Sequence, residues 1–209
     1  MRHLIVFCHL RWDFVLQRPQ HLLTRLAQTY RVLVVEEPVG AETPSLESTS
    51  PVPGIEVLRP QLPGGGNGFA DEHFASMQEL LQAHLQRNGI DDYIVWFYTP
   101  MALPMLEGLQ PKAVVYDCMD ELSAFKHAPP QLRPREQALL DRADVVFTGG
   151  PSLYEAKREL HPNVLCLPSA VDAAHYSPER ALTDLQGVQR AKEIQGEIPT
   201  PRLGFFGVI

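Results

Sequence analysis

Seven short apolar runs punctuate the chain: Leu4–Cys8, Val32–Val35, Ile55–Leu58, Tyr93–Tyr98, Ala113–Tyr116, Val145–Thr148 and Val164–Leu167. They are rich in Val, Ile, Tyr and Phe, and several are apolar without alternation, the pattern of strands buried on both faces of a parallel sheet. Helical spacing fills the intervals. Leu22, Leu23, Leu26 and Tyr30 follow Pro19, and Phe74, Met77, Leu81 and Leu85 form a stripe closed by Asn88-Gly89. A third helix is expected from about Pro134 to Arg142, and a fourth after Gly149-Gly150-Pro151 with Leu153, Ala156 and Leu160 inward. Strand and helix alternating in this way imply right-handed crossovers, so the expected fold is α/β, a doubly wound, mainly parallel Rossmann-like sheet.

Two stretches interrupt the rhythm. Residues 38–54 carry many Pro, Ser, Thr and Glu and read as a surface loop, while Pro63 to Gly68 reads as a flexible connection. No internal repeat occurs. Residues 1–178 are expected to form one Rossmann-like domain and 179–201 a linker. The run Leu203–Ile209, within 202–209, reads as the first strand of a second domain absent from the chain or, alternatively, as a swapped last strand of the same sheet.

The 209 residues hold 18 basic and 25 acidic side chains, a net charge of −7, which argues against a nucleic-acid partner. Cys8, Cys118 and Cys166 are too few and too odd in number for a disulfide framework, and read as buried free thiols in a reducing compartment. Leu4 to Cys8 is shorter than the roughly 7–15 apolar residues of a signal-peptide core, and no run approaches the ~20 needed to span a bilayer. The expected location is the cytoplasm, with peripheral contact at the inner membrane face left open.

The first strand is followed by His9 to Gln20 without a glycine, which counts against the usual dinucleotide mode. Gly64 to Gly68 lacks both the Gly-x-Gly-x-x-Gly turn and the Lys-Ser/Thr of a phosphate loop. This first connection, His9 to Gln20, nevertheless leaves the carboxyl end of a strand, where open α/β sheets bind ligands. It offers Arg11, Trp12, Asp13 and Arg18, with His21 beyond, as substrate-binding candidates. The competing reading has Trp12 and Phe14 covering the sheet while Arg11 pairs with Asp13.

Asp117, Asp120 and Glu121 are the catalytic candidates, because clustered carboxylates raise one another's pKa toward the range of a general base. Asp120 could equally cap a helix or pair with Lys126. Gly149 and Gly150 could let a ligand approach the backbone, or could open a helix capped by Ser152 or Thr148. His84, His127 and His161 read as surface residues. No metal-ligand spacing is present, and no cofactor is expected.

Trp12-Asp13 with Gln17-Arg18-Pro19-Gln20-His21-Leu22, then Val32 to Pro38, Val114 to Leu122 and Ala143 to Thr148, resembles the amino-terminal domain of family four glycosyltransferases of the GT-B fold. The likeness is to a bacterial subgroup of the teichuronic-acid-biosynthesis type. Pro168 to Asp172, leading to Tyr176-Ser177-Pro178, resembles the family's hinge, with Ser169-Ala170 in place of Asn-Gly and Tyr176 in place of Phe. The family's Glu-x7-Glu motif has no counterpart. The resemblance implies transfer of a sugar from a nucleoside diphosphate sugar to a hydroxyl acceptor, a sugar or lipid-linked sugar, in cell-surface polysaccharide or glycolipid synthesis. It implies no obligatory metal, and little turnover without the second half. A non-catalytic carbohydrate- or nucleotide-binding module, or half of a sugar-nucleotide epimerase, are the alternatives.

Overall fold

A computed structural model describes residues 2–66, 68–170, 172–174, 177, 179, 185–196, 198–199 and 201. The chain divides into two units, Met1–Ser169 and Ala170–Ile209.

In the first unit the strands are β1 (His3–Cys8), β2 (Arg31–Glu36), β3 (Val39–Gly40), β4 (Ser45–Val52), β5 (Ile55–Leu62), β6 (Tyr93–Phe97), β7 (Val114–Cys118), β8 (Val145–Thr148) and β9 (Val164–Cys166). They form one nine-stranded sheet in the order β3-β5-β2-β1-β6-β7-β8-β9, with β4 on β5. Every pairing is parallel except the antiparallel β4–β5. The winding reverses between β1 and β6, which places the switch point of a doubly wound sheet at their carboxyl ends.

Both faces are covered. Ile5 and Phe7 point into a cluster built with Phe74, Met77, Leu81 and Leu85 of α2 (Phe74–Arg87) and Leu139 and Leu140 of α3 (Leu132–Arg142). Leu4, Val6 and Cys8 point the other way, against Leu23 of α1 (Arg18–Leu26). The period of two along β1 thus feeds two cores, which is why its sequence shows no alternation. Cys8 and Cys118 are buried free thiols pushed up to about 12 by burial, whereas Cys166 is only half-buried.

The structure corrects three expectations. Residues 38–54 are not a loop: β3 and β4 lie within them, and β4 closes the β5 edge. Its polar composition suits an edge strand whose outer row faces water, and Pro51 falls at the register shift between Thr49 and Val52. Cross-strand bonds such as Ser48 Oγ to Glu56 Oε1 at 2.6 Å hold it. The helix after Pro151, α4 (Pro151–Lys157), ends before Leu160, and Ala156 and Leu160 are exposed, while Lys157 takes the inward position. His84 is buried on α2, 3.4 Å from Glu56, rather than on the surface. In the Pro63–Gly68 connection, a Cβ on Gly65 would sit 2.4 Å from the Val39 carbonyl oxygen, so glycine here admits the backbone of β3.

In the second unit, α5 (Leu185–Gln195) is a helix with no buried residue. The expected strand Leu203–Ile209, and Val171, Tyr176 and Pro178 of the hinge resemblance, lie outside the described residues.

Candidate functional site

The site is assembled where β1, β2, β7, β8 and β9 end. Glu36, the last residue of β2, is fully buried and accepts from Arg11 Nη1 at 3.1 Å, Arg59 Nε at 2.7 Å and the Trp12 amide at 2.7 Å. A buried carboxylate this well satisfied is an anchor. Arg11 also donates to the Glu37 carbonyl at 2.6 Å, so its guanidinium is spent on fixing the β1–α1 loop. Its partner is Glu36 and not Asp13, which is exposed and pairs with Arg59 at 3.4 Å. Trp12 is half-buried and packs on the α1 side of the sheet. Gln20, buried at the start of α1, donates to the carbonyls of Trp12 at 3.1 Å and Val15 at 2.9 Å, and accepts from the Gln17 amide at 3.0 Å. The loop is therefore a rigid frame.

Arg18 reaches from the first turn of α1 to β7. Its Nε lies 3.1 and 3.2 Å from the two oxygens of Asp117, Nη2 lies 3.1 Å from Oδ1, and Nη1 donates to the Leu167 carbonyl beyond β9 at 2.7 Å. The Arg18 side chain is 7% exposed and that of Asp117 0%. Burial pushes the Asp117 carboxyl above its ordinary range, against the pull of Arg18. The phenol of neighbouring Tyr98 is pushed well up by burial and by Asp117. The direction expected for a clustered carboxylate is present at Asp117, but desolvation causes it and not repulsion within the cluster.

Asp120, two residues past β7, is exposed, and among the described residues no side-chain hydrogen bond or ion pair holds its carboxylate. Burial holds the His9 imidazole below its ordinary pKa, and the charge of Asp120 opposes that shift. His9 Nδ1 and Thr148 Oγ1 are buried without a hydrogen-bond partner. Gly149 lies against the same loop, where a Cβ would come 2.9 Å from the Met119 carbonyl oxygen; nothing crowds Gly150. Gly150 itself caps α4, with no side-chain cap from Ser152 or Thr148. His21 is half-buried on α1.

Glu121 belongs to a different constellation. Its Oε2 and the Glu136 Oε2 each lie 2.9 Å from Lys157 Nζ, and Glu136 Oε1 accepts from Tyr116 Oη at 2.7 Å. Ser123 and Lys157 hold the Glu121 carboxyl below its ordinary range despite partial burial, and the two glutamates hold Lys157 above its own against desolvation. A depressed carboxyl contributes stability above its unfolded pKa of about 4.3 and loses it as pH falls. Because Glu121 is about a third exposed, Glu121→Gln is expected to cost only about 0.5–1 kcal/mol at pH 7. In urea unfolding the difference from wild type should vanish near pH 3.

Sequence reasoning missed the roles of Glu36 and Lys157, which depend on partners far along the chain, and of Gln20, whose side chain ties the loop to its own neighbours Trp12, Val15 and Gln17. Glu36 did carry a signal, a carboxylate ending an apolar strand. Among the described residues no group of three or more His, Cys, Asp or Glu is arranged to hold a metal ion.

No protein-family model matches the chain, and no curated protein matches it by sequence. Solved structures do. A trehalose-phosphate synthase from Burkholderia xenovorans in complex with glucose-6-phosphate aligns with TM-score 0.61 and 11% identity, over 93% of this chain and 56% of that one. Sucrose-phosphate synthase from Thermosynechococcus elongatus gives 0.59 and 13%, over 88% and 53%. The catalytic domain of starch synthase IV from Arabidopsis thaliana, bound to ADP and acarbose, gives 0.53 and 10%, over 97% and 60%. The chain spans little more than half the length of these structures, and at such identities the likeness is one of fold, the Rossmann-like α/β architecture of GT-B glycosyltransferases.

Proposed function

We propose that the Met1–Ser169 unit is the acceptor-side domain of a GT-B glycosyltransferase, which moves a sugar from a nucleoside diphosphate sugar to a hydroxyl acceptor. The observation that carries this reading is Asp120: an exposed, unpaired carboxylate at the carboxyl edge of the sheet, whose charge is felt by the His9 imidazole, itself with a buried Nδ1 without a hydrogen-bond partner. A carboxylate there can accept the proton of an acceptor hydroxyl as its oxygen attacks the anomeric carbon and the nucleoside diphosphate leaves. Asp117 has another task. Locked to Arg18, it aligns β7, α1 and the end of β9 under the reacting groups.

The donor is a substrate and no bound cofactor is invoked. The Trp12-Asp13 and Gln17-Arg18-Pro19-Gln20 motifs favour the teichuronic-acid-like subgroup and hence an acceptor in cell-surface polysaccharide or glycolipid synthesis, made in the cytoplasm. A second half must supply most contacts to the donor, so the 209 residues alone are expected to give no turnover. The test is release of nucleoside diphosphate by the product of the complete reading frame, given a panel of labelled nucleotide sugars and hydroxyl acceptors. Label transferred to acceptor supports the reading. Isomerised donor without transfer replaces it with an epimerase, and binding without either makes it a module.

A further inference from the structure

Among the described residues of α4, Lys157 alone is buried, its side chain 6% exposed, where a helix packed on a sheet ordinarily turns an apolar residue inward. Its ammonium faces two carboxylates, Glu121 and Glu136. An apolar side chain of similar volume would hold α4 at least as well, without the desolvation cost of the charges. What an apolar side chain lacks is direction. A charge-assisted hydrogen bond fixes the point its partner occupies.

The partner that matters is Glu121, because it adjoins Asp120. Among the described residues no side-chain bond holds the Asp120 carboxylate, so its backbone must place it. That backbone is held on both sides by the segment from the end of β8 to α4. Ahead of Asp120, the Gly149 amide donates to the Cys118 carbonyl at 2.9 Å, and a Cβ on Gly149 would meet the Met119 carbonyl oxygen at 2.9 Å. Behind it, Lys157 Nζ lies 2.9 Å from Glu121 Oε2, while Glu121 Oε1 accepts from Ser123 Oγ at 2.7 Å. Lys157 is anchored in turn on Glu136 of α3 at 2.9 Å, and Glu136 accepts from the Tyr116 hydroxyl at 2.7 Å. The network from β7 through α3 and α4 thus closes on the residue after Asp120.

We propose that Lys157 is a positioning residue, which sets the place of the Asp120 carboxylate toward the acceptor hydroxyl by clamping Glu121. The effect on turnover rests on the glycosyl-transfer reading; the clamp itself is a property of the loop and is measured separately.

The complete enzyme is assayed with a donor and acceptor that support transfer, and amide hydrogen exchange is followed over residues 119–124. Lys157→Met is expected to lower kcat by about 10–100-fold, with KM for the donor little changed. Exchange at 119–124 should quicken by roughly fivefold or more while β1 and β2 keep wild-type rates. In the Asp120→Asn background the same change should lower kcat no further, since Lys157 acts through that carboxylate. Glu121→Gln provides the same test, with a weaker effect, if Lys157→Met does not fold. Unchanged kcat, or an equal loss in both backgrounds, overturns the proposal. So does exchange at 119–124 that is unaltered, already unprotected in wild type, or raised throughout the unit. Absence of transfer, or wild-type turnover in Asp120→Asn, removes the assignment of the base instead, and the exchange then decides the clamp by itself.

Discussion

Arg18→Met is expected to destabilise the Met1–Ser169 unit by about 3–5 kcal/mol, because it leaves the carboxylate of Asp117 buried without its counter-charge. For a domain of this size that corresponds to a fall in Tm of roughly 6–20 °C. The pair itself is a weaker contributor than its rupture suggests. Arg18→Met combined with Asp117→Leu should recover most of the loss, since two apolar groups of similar volume carry no desolvation cost. The pH dependence separates the charge effect from lost packing. Without Arg18, the folded-state pKa of Asp117 rises further above its unfolded value, so the native state binds the extra proton and is favoured as pH falls. The deficit of the single variant should therefore be largest near neutral pH and shrink toward about pH 4. A deficit unchanged with pH would place the damage in packing against Leu167 and not in the ion pair.

Asp120→Asn should lower kcat of the complete enzyme by about 10²–10⁴-fold, the range of a general base, with KM for the donor little altered. Stability should not change, because the side chain is exposed and holds no partner. The two carboxylates of β7's end are thus predicted to fail in opposite ways: Asp117 variants through folding, Asp120 variants through chemistry at wild-type Tm. Wild-type turnover in Asp120→Asn would remove the base from this loop. A residual pH profile that follows an imidazole would then point to His9.

What was legible in the sequence follows the range of the interaction concerned. Leu4–Cys8 and Val32–Val35 announced buried parallel strands because both of their faces must be apolar, a demand each residue meets individually. The helix stripes of α1 and α2 were visible for the same reason. β4 was hidden, since an edge strand half in water reads like a loop until β5 is beside it. Leu160 was read as inward by periodicity, but Lys157 won the inward position because Glu121 and Glu136 arrive there from 36 and 21 positions away.

The candidate site divides in the same way. Residue types and strand ends by themselves single out the β1–α1 loop and the Asp117–Glu121 cluster. Their division of labour was not written there: Arg11 as a brace on Glu36, Arg18 as the buried partner of Asp117, Glu121 as part of the Lys157 network, and Asp120 left open. By itself, then, the sequence determined a doubly wound α/β unit and the edge at which a ligand would meet it, because local burial patterns and strand ends are properties of neighbouring residues. Only the tertiary structure decided which charges are spent and which is free, because a guanidinium finds its carboxylate 99 residues away through the packing of the whole sheet.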